Sequence, residues 1–478
     1  MLFNSLSFAI FLPIVFLLYW YLAKKHLKYQ NILLLIASYF FYACWDWRFL
    51  FLLIFSTLLD YFTGIKIIES GNKLAKKFWF WLSISVNLGF LGIFKYYNFF
   101  ASSFADALEN IGLQVNTFTL ELILPVGISF YTFHGLSYVI DIYKDRIKAE
   151  RNFVDYSIFV SFFPLLVAGP IERATHLLPQ IQQKRIFNYA QAVDGLRQIL
   201  WGLFKKVVIA DQCAVHANAV FGNAGEYSGL ALFSGALFFT FQIYCDFSGY
   251  SDIALGTAKL FGINLLRNFA FPYFSRDIAE FWRRWHISLS SWFKDYLYIP
   301  LGGSAGGTWL KVRNTFIIFL VSGFWHGANW TFIVWGLLNA LYIMPSIVFN
   351  TNRNNLEIVA QGKNLPSARE FFAILTTFGL TVFAWIFFRA ETLDGALQYI
   401  YRMFSNPAHT ESLTVKGNLI ILIVAFFLVE WFGRQQQYAI ATIGLKWKKS
   451  LRYAFYFVII FSLFWFGGSE QQFIYFDF

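Results

Sequence analysis

The chain of 478 residues is 58% hydrophobic and 22% aromatic, but only 14% of its residues are charged, and its mean hydropathy is +0.53. Soluble domains carry about 25% charged residues, so this composition excludes an ordinary soluble protein and predicts a membrane protein built from helices. The net charge of +11 does not indicate nucleic-acid binding, because the basic residues fall in short loops between apolar runs.

Long apolar runs recur along the chain and predict a polytopic all-α membrane protein with about 11 to 13 transmembrane and re-entrant helices. Nothing in the sequence marks a separate soluble part, so we expect a single integral-membrane domain over residues 1–478. The first run lacks a basic segment and a small-residue cleavage site, which favours a retained span over a signal peptide. The predicted spans are Ser5–Leu22, Asn31–Trp45, Phe49–Ile65, Phe78–Tyr97, Leu120–Tyr143, Val154–Val167, Leu196–Ala210, Gly229–Cys245, a pair within Thr315–Phe349, Phe371–Phe388, Asn418–Phe432 and Tyr453–Trp465.

The distribution of lysine and arginine orients these spans. Basic residues follow the first span and recur in 66–77 and 144–151, whereas the loop 98–119 contains none. The positive-inside rule therefore predicts an outside N-terminus and a cytoplasmic 144–151 loop. The run Val154–Val167 is flanked by basic residues on both sides, so we expect a re-entrant segment that is interrupted near Pro164.

The stretch Thr315–Phe349 contains no Asp, Glu, Lys or Arg. As one straight helix it would measure ~52 Å, against a hydrocarbon core of ~30 Å, so we expect a break, most naturally at Gly323–Gly327. Counted from Thr315, His326 would lie ~17 Å along the first segment, near mid-bilayer. An imidazole at that depth is costly unless it faces a polar cavity, which favours a functional site over a packed histidine satisfied by a carbonyl.

Between Cys245 and Thr315 the hydrophobicity falls and polar residues accumulate. Asp246 and Asp252 occur in the segment YCDFSGYSD, and apolar residues recur at steps of three and four across Ile278–Tyr296. This periodicity predicts an amphipathic helix. Its charged residues exclude a lipid-facing span, so it should lie on the membrane surface or line a protein-walled basin.

Three polar elements could converge on one site: His326 with Asn329, His286 with its neighbouring arginines, and the Asp246/Asp252 segment. A helix that begins at His326 would place Asn329 on the same face, and a neutral histidine beside an amide suits a general base acting on a hydroxyl. Serine elbows, P-loops and zinc-protease motifs do not occur. A transporter that uses His326 as a proton relay is an alternative of another class, although no inverted repeat or pair of mid-membrane carboxylates favours it.

Two features of the polar stretch each have two interpretations. Arg283 and Arg284 could bind donor phosphates, or they could anchor the helix to anionic lipid. The glycine-rich loop Leu301–Thr308 could cradle a phosphate through its backbone N–H groups, or it could be a flexible turn. No metal site is predicted. The three cysteines lie in or beside apolar runs without a CxxC pair, so neither a zinc site nor a disulfide framework is indicated.

Five segments resemble the membrane-bound O-acyltransferase family, and specifically its alginate O-acetyltransferase branch. The motif-bearing core covers about residues 120–345. One position departs from the pattern that we expect of relatives, because His134 stands where an amide or a small polar residue is usual. The segments are PVGISFYTFHGLSYVIDIY (Pro125–Tyr143), FFPLLVAGPIER (Phe162–Arg173), YCDFSGYSDIALG (Tyr244–Gly256), EFWRRWHISLSSWFKDYLYIPLGG (Glu280–Gly303) and GFWHGANWTFIVWG (Gly323–Gly336).

The resemblance implies a ring of transmembrane helices around a central tunnel, with a funnel that opens to the cytoplasm. It implies that His326, in the WHG motif, is catalytic and that His286, in the RRWHIS motif, is the second signature polar residue. We expect supporting or substrate-binding roles for the other polar or aromatic residues of these motifs, which are Trp325, Asn329, Asp246, Asp252, Arg283 and Arg284.

The same resemblance implies O-acetylation of an exported polysaccharide, such as alginate, in the bacterial inner membrane. The donor would be a cytoplasmic acyl thioester such as acetyl-CoA, and no permanently bound cofactor is expected. The expected partners are an extracytoplasmic acetyltransferase, the polysaccharide biosynthesis complex and the surrounding lipids, and no nucleic acid. D-alanyl transfer to teichoic acid from a carrier protein is an alternative within the same fold.

Overall fold

The computed structural model describes residues 1–23, 25–113, 119–120, 123–167, 169–405, 413–415, 417–468 and 471–474. Within these residues the regular elements are all helical, as the sequence predicts. The chain forms two compact units, of which the first comprises Met1–Ala192 with Thr257–Leu266 and the second comprises Val193–Gly256 with Arg267–Phe478.

The first unit is built mainly from nine helices among its described residues. Two of them run into π-helical turns, Leu18–Leu22 after α1 and Gly92–Tyr96 after α4. The helices are α1 Leu6–Leu17, α2 Leu27–Ala43, α3 Trp47–Glu69, α4 Lys73–Leu91, α5 Tyr97–Glu109, α6 Ile128–Tyr143, α7 Phe153–Ser161, α8 Phe163–Leu166 and α9 Ala174–Ile181.

The second unit contains most of the polar motifs. Its α10 begins, and its α12 ends, in residues that belong to the first unit. Three shorter helical turns also belong to this unit, and they are Phe204–Ala210, Pro272–Phe274 and Lys294–Tyr298. The helices are α10 Tyr189–Leu203, α11 Asp211–Gly222, α12 Gly229–Leu260, α13 Ile278–Arg284, α14 Ile287–Phe293, α15 Gly307–His326, α16 Trp330–Val348, α17 Ala368–Arg389, α18 Leu393–Ser405, α19 Gly417–Gly433 and α20 Lys449–Phe466.

Six helical segments in the described residues are long and apolar enough to cross a membrane, and each overlaps a predicted span. Three shorter apolar helical segments, Leu6–Leu22, Phe153–Leu166 and Gly417–Gly433, also coincide with predicted runs. The protein is therefore a multi-pass membrane protein, whereas the ring, the tunnel and the single domain stay predictions. The six segments are Trp47–Glu69, Lys73–Glu109, Gly229–Leu260, Trp330–Val348, Ala368–Arg389 and Lys449–Phe466.

The predicted span Leu120–Tyr143 is wrong in its first part, because α6 begins only at Ile128. Gly127 precedes it in a left-handed conformation with φ of 75°, and a Cβ there would lie 2.3 Å from the Leu166 carbonyl oxygen. Only glycine combines this backbone angle with so close an approach. Farther along α6, His134 is buried, and its Nε2 accepts the backbone N–H of Glu172 at 3.1 Å, so this unusual histidine has a structural contact.

The predicted re-entrant run does break, as α7 ends at Ser161 and α8 begins at Phe163. Phe162 between them has an extended ψ of 115°, and Pro164 occupies the first turn of α8. Proline has no N–H and its ring would clash with the carbonyl four residues earlier, so Pro164 cannot continue α7 but is tolerated in the first turn of a new helix. The re-entrant topology itself stays a prediction.

The predicted amphipathic helix Ile278–Tyr296 is not continuous. It divides at His286, whose φ of 43° and ψ of 54° are left-handed. The loop before α13 bonds to the chain on both sides of this break, since the N–H of Ala270 donates to Arg284 O at 2.9 Å and that of Ile287 donates to Asn268 O at 2.9 Å. Periodicity missed the break because the apolar face continues on both sides of it.

The break in the Thr315–Phe349 stretch is confirmed, but its location differs in detail from the prediction. Helix α15 begins at Gly307 and ends at His326, so His326 terminates the helix rather than lying within it. Gly323 instead lies inside α15, where an added Cβ would lie 2.3 Å from the Phe332 carbonyl oxygen. An added Cβ at Gly336 on α16 would lie equally close to the Phe319 carbonyl oxygen. The two glycines let the backbones of α15 and α16 meet.

Candidate active site

His326 occupies the C-terminal end of α15, where its side chain is enclosed by aromatic rings. It is 4% exposed, and its ring centroid lies 4.8 Å from Trp325, 5.1 Å from Trp335 on α16 and 5.2 Å from Phe388 on α17. Helices α16 and α17 therefore wall the imidazole with hydrocarbon. The neutral form of such an imidazole is the one that can accept a proton from a hydroxyl.

His286 lies at the break between α13 and α14 and is fully buried. Its ring packs edge-on against Phe247 at 4.7 Å and lies 6.2 Å from Trp325, and its Nδ1 is 3.0 Å from Asn268 Oδ1. Burial lowers the pKa of His286 to about 3, so the imidazole is uncharged. Trp325 thus contacts both signature histidines, and the structure brings the WHG and RRWHIS motifs together.

Asn329 does not share a helical face with His326, and that expectation is wrong. The residue caps α16, with Oδ1 accepting the Thr331 N–H at 3.0 Å, while Nδ2 donates to the Glu391 carbonyl at 2.6 Å. The reason is that His326 ends one helix and Asn329 starts the next, so the helical spacing of three residues does not apply. Its contacts fix the start of α16 against the segment between α17 and α18.

Asp246 and Asp252 lie on α12, which continues beyond the predicted span end at Cys245. Asp246 Oδ1 is 2.9 Å from the Nζ of Lys206, and Asp252 Oδ2 is 2.6 Å from the Nζ of Lys205. Both lysines are almost completely buried. The carboxylates therefore neutralise buried cations that the sequence reasoning missed, although two lysines inside the apolar run Leu196–Ala210 were a visible signal.

A polar cavity of about 20 Å³ lies beside this network, which is room for about one water molecule. Lys205, Asp252 and Asn268 line it, together with Glu430 on α19, whose carboxylate accepts the Tyr244 hydroxyl at 2.6 Å. Asn268 also contacts His286, so Asp252 is linked to the histidine site through the cavity wall. Asp246 does not line this cavity and is bonded instead to Lys206 and to the N–H of Ile474.

Arg283 and Arg284 are both committed to contacts within the protein. The guanidinium of Arg283 donates to the carbonyls of Asn352 and Asn355 at 2.8 Å each. Arg284 donates to the Glu280 carboxylate within α13 at 2.8 Å and to the Glu357 carbonyl at 3.2 Å. These contacts hold the segment after α16 against α13, which favours a structural role over donor or lipid binding.

The glycine-rich loop Leu301–Thr308 is also folded onto itself. The N–H groups of Gly302 and Gly303 donate to Ile299 O and Tyr298 O at 3.0 and 2.9 Å. Asn314 on α15 in turn donates to Gly303 O at 3.0 Å. Since these backbone donors are already used, the geometry favours a structured turn over a phosphate cradle.

Comparisons with known proteins identify relatives that share the two histidine motifs' region of the chain. Residues 143–387, which include both histidines, match the family model for the membrane-bound O-acyltransferase family. A probable alginate O-acetylase of Pseudomonas aeruginosa is 39% identical over 92% of this chain and 82% of its own length. The peptidoglycan O-acetyltransferase of Helicobacter pylori is 34% identical over 100% of this chain and 98% of its own length.

A more distant relative is the teichoic acid D-alanyltransferase of Bacillus subtilis, which is 30% identical over 57% of this chain and 70% of its own length. The family-model match and the near-complete coverage of the two acetyl-transferring relatives agree with the five motifs. The chain belongs to the membrane-bound O-acyltransferase family.

Proposed function

We propose that the protein is an O-acetyltransferase that modifies a cell-envelope polysaccharide, such as alginate, in the bacterial inner membrane. The observation that carries this proposal is the placement of two buried histidines against one indole, that of Trp325. The names of the alginate- and peptidoglycan-acetylating relatives, which align over most of the chain, support the acetyl group and the polysaccharide class.

In the proposed reaction, His326 acts as a general base on the accepting hydroxyl. The imidazole takes the hydroxyl proton, the oxygen forms a bond to the thioester carbonyl carbon, and the carbon–sulfur bond breaks. The thiolate that leaves takes up the proton, which restores the neutral imidazole. His286 orients the hydroxyl, and the aromatic walls exclude the water that would hydrolyse the thioester.

The donor is an acyl thioester such as acetyl-CoA, and no bound cofactor is needed for this chemistry. The acceptor hydroxyl belongs either to the polysaccharide or to an extracytoplasmic acetyltransferase that completes the transfer. This arrangement requires the donor to enter from the cytoplasm. Cysteines introduced at Ser102 and Lys148, both exposed, in a variant without the native cysteines would test the orientation. Labelling of position 148 from outside intact cells would contradict the outside N-terminus.

D-alanyl transfer to teichoic acid is the second candidate, and the match to the Bacillus subtilis relative favours it. That match covers 57% of the chain, against 92% for the alginate relative, which is why acetyl transfer is preferred. The decisive experiment supplies membranes that contain the protein with radiolabelled acetyl-CoA and isolates the envelope polysaccharide. Acetyl label that depends on His326 supports the proposal. If the polysaccharide stays unlabelled and the strain incorporates D-alanine through this protein, D-alanyl transfer replaces acetyl transfer as the proposed function.

A further inference from the structure

Asn268, which no motif of the sequence singled out, is the polar side chain in hydrogen-bond contact with the His286 imidazole. It lies in the loop that precedes α13 and is 1% exposed. Its Oδ1 lies 3.0 Å from His286 Nδ1 and accepts the Ser288 hydroxyl at 2.9 Å. The loop also bonds through its backbone to both sides of the helix break, so the carboxamide is held firmly against the imidazole.

The orientation of this carboxamide follows from its neighbours. The backbone N–H of Ser288, which can only donate, points at the same Oδ1 from 3.4 Å. The atom facing His286 is therefore the oxygen, which can only accept, and Nδ2 is buried without a hydrogen-bond partner among the described residues, beside the cavity of about 20 Å³ that Asn268 lines. Nδ1 must then carry the proton of the neutral imidazole, and Nε2 carries the lone pair.

The other nitrogen of His286 is available for a ligand. Among the residues that the structure describes, Nε2 is buried and has no hydrogen-bond partner. The surrounding groups from the packed elements are the rings of Phe247, Phe269 and Trp325, which leave the lone pair uncompensated. A buried acceptor without a partner is costly, and this cost is recovered when a substrate donor arrives.

We propose that Asn268 is a positioning residue that fixes His286 in the Nδ1–H tautomer, so that Nε2 accepts a hydrogen bond from the substrate hydroxyl. This inference rests on the proposed function and sharpens the part played by His286 in it. In this tautomer His286 cannot donate from Nε2, so it orients the hydroxyl as an acceptor. Ser288 completes the arrangement, because its backbone N–H can only donate and therefore keeps the carboxamide oxygen on this side.

The test is nitrogen NMR on the full-length protein in lipid bilayers, with nitrogen-15 histidine and with His286→Gln to identify the signal. We expect His286 in the wild type to be protonated at Nδ1. Asn268→Leu and the smaller change Asn268→Ala should give a mixture of tautomers, whereas Ser288→Ala retains the backbone donor and should keep Nδ1–H. Asn268→Asp, which retains an acceptor, should restore Nδ1–H. Asn314→Leu removes an equally buried amide that bonds to Gly303 O, and it should leave the His286 signal unchanged.

The kinetic readout uses acetyl-CoA with membranes that contain each variant. Loss of one hydrogen bond typically corresponds to about a 2- to 12-fold change, so kcat per inserted Asn268→Leu protein should fall by that amount with little change in KM. Partial recovery in Asn268→Asp would agree with the tautomer. If Asn268→Leu does not insert, Asn268→Ala decides the question.

Two results would overturn the inference: an Nε2–H tautomer in the wild type, or an unchanged tautomer in both Asn268→Leu and Asn268→Ala. An unchanged kcat in a variant whose tautomer is lost would also contradict the positioning role. The NMR result does not depend on any transfer reaction. Failure of the proposed function would therefore appear as an absence of acetyl transfer, with the Asn268–His286 contact intact.

Discussion

The lysine network consists of Lys205 and Lys206 with the carboxylates that neutralise them, and the histidine site consists of His286 and His326. The two regions differ in how their buried polar atoms are compensated. Lys206 Nζ lies within 3.0 Å of Asp246, Asp211 and the Gln471 carbonyl, so its charge is compensated on several sides. His286 has one compensated nitrogen, and its other nitrogen is buried without a hydrogen-bond partner among the described residues. The difference separates a charge that is neutralised inside the fold from an imidazole that keeps one acceptor for the hydroxyl that we propose it orients.

The largest expected effect is on catalysis at His326. We expect His326→Gln to reduce acetylation per unit of membrane-inserted protein by about 10²–10⁴-fold, the usual contribution of general base catalysis. His134→Gln is a matched control, because His134 is a buried histidine with a structural contact to the Glu172 N–H. The control should lower abundance while each inserted molecule keeps its activity. More than a tenth of wild-type specific activity in His326→Gln would contradict the assignment.

The opposite pattern is expected when the lysine network is broken. Asp246→Asn leaves the Lys206 charge with one carboxylate instead of two. Removing one partner of a buried ion pair typically costs about 3–5 kcal/mol, and the remaining Asp211 should reduce that cost. We expect a lower thermal inactivation temperature and lower abundance, measured by fluorescence-detected gel filtration. Normal stability with a loss of specific activity would instead indicate that Asp246 acts in catalysis.

Substitution of Arg283 or Arg284 should lower stability, as expected for Asp246→Asn, and should not impair catalysis as expected for His326→Gln. Charge-assisted hydrogen bonds contribute about 1.5–3 kcal/mol, so Arg283→Gln and Arg284→Gln should loosen the segment after α16 and lower abundance. The dependence of rate on acetyl-CoA concentration should stay within about twofold of wild type, as in the exposed control Lys294→Gln. A clear rise in KM for acetyl-CoA in the arginine variants alone would restore the donor-binding interpretation.

The smallest effect is expected at Asn329. Loss of a helix N-cap costs about 0.5–2 kcal/mol, so Asn329→Ala should lower stability slightly. Specific activity should remain near that of the wild type, because the contacts of Asn329 are to Thr331 and Glu391 and not to the imidazole. Asn329→Asp keeps the capping oxygen and should recover most of the stability. A loss of activity comparable to that of His326→Gln would show that capping is not its main role.

The sequence predicted the helical class and the spans well, because long apolar runs in a chain of this composition have few alternatives. It also predicted His326 and His286 as the signature residues, through the resemblance of the motifs, and the structure places both beside Trp325. The left-handed backbone at His286 was not predictable from periodicity, since the bonds that hold it come from the Asn268–Ala270 loop. Partners such as Lys206 are distant in sequence from the carboxylates they neutralise, so local reasoning assigned Asp246 and Asp252 to the site without their counter-ions.

The glycine contact between α15 and α16 has a consequence for substrate access. Because Gly323 and Gly336 place backbone directly against backbone, the two helices have no intervening side chains whose rotation would let them slide apart. His326 and Trp335 therefore move together, as parts of one stiff hairpin. For the proposed reaction we therefore expect a hydroxyl to reach the imidazole past the Trp325 and Phe388 rings, and not through the seam between α15 and α16.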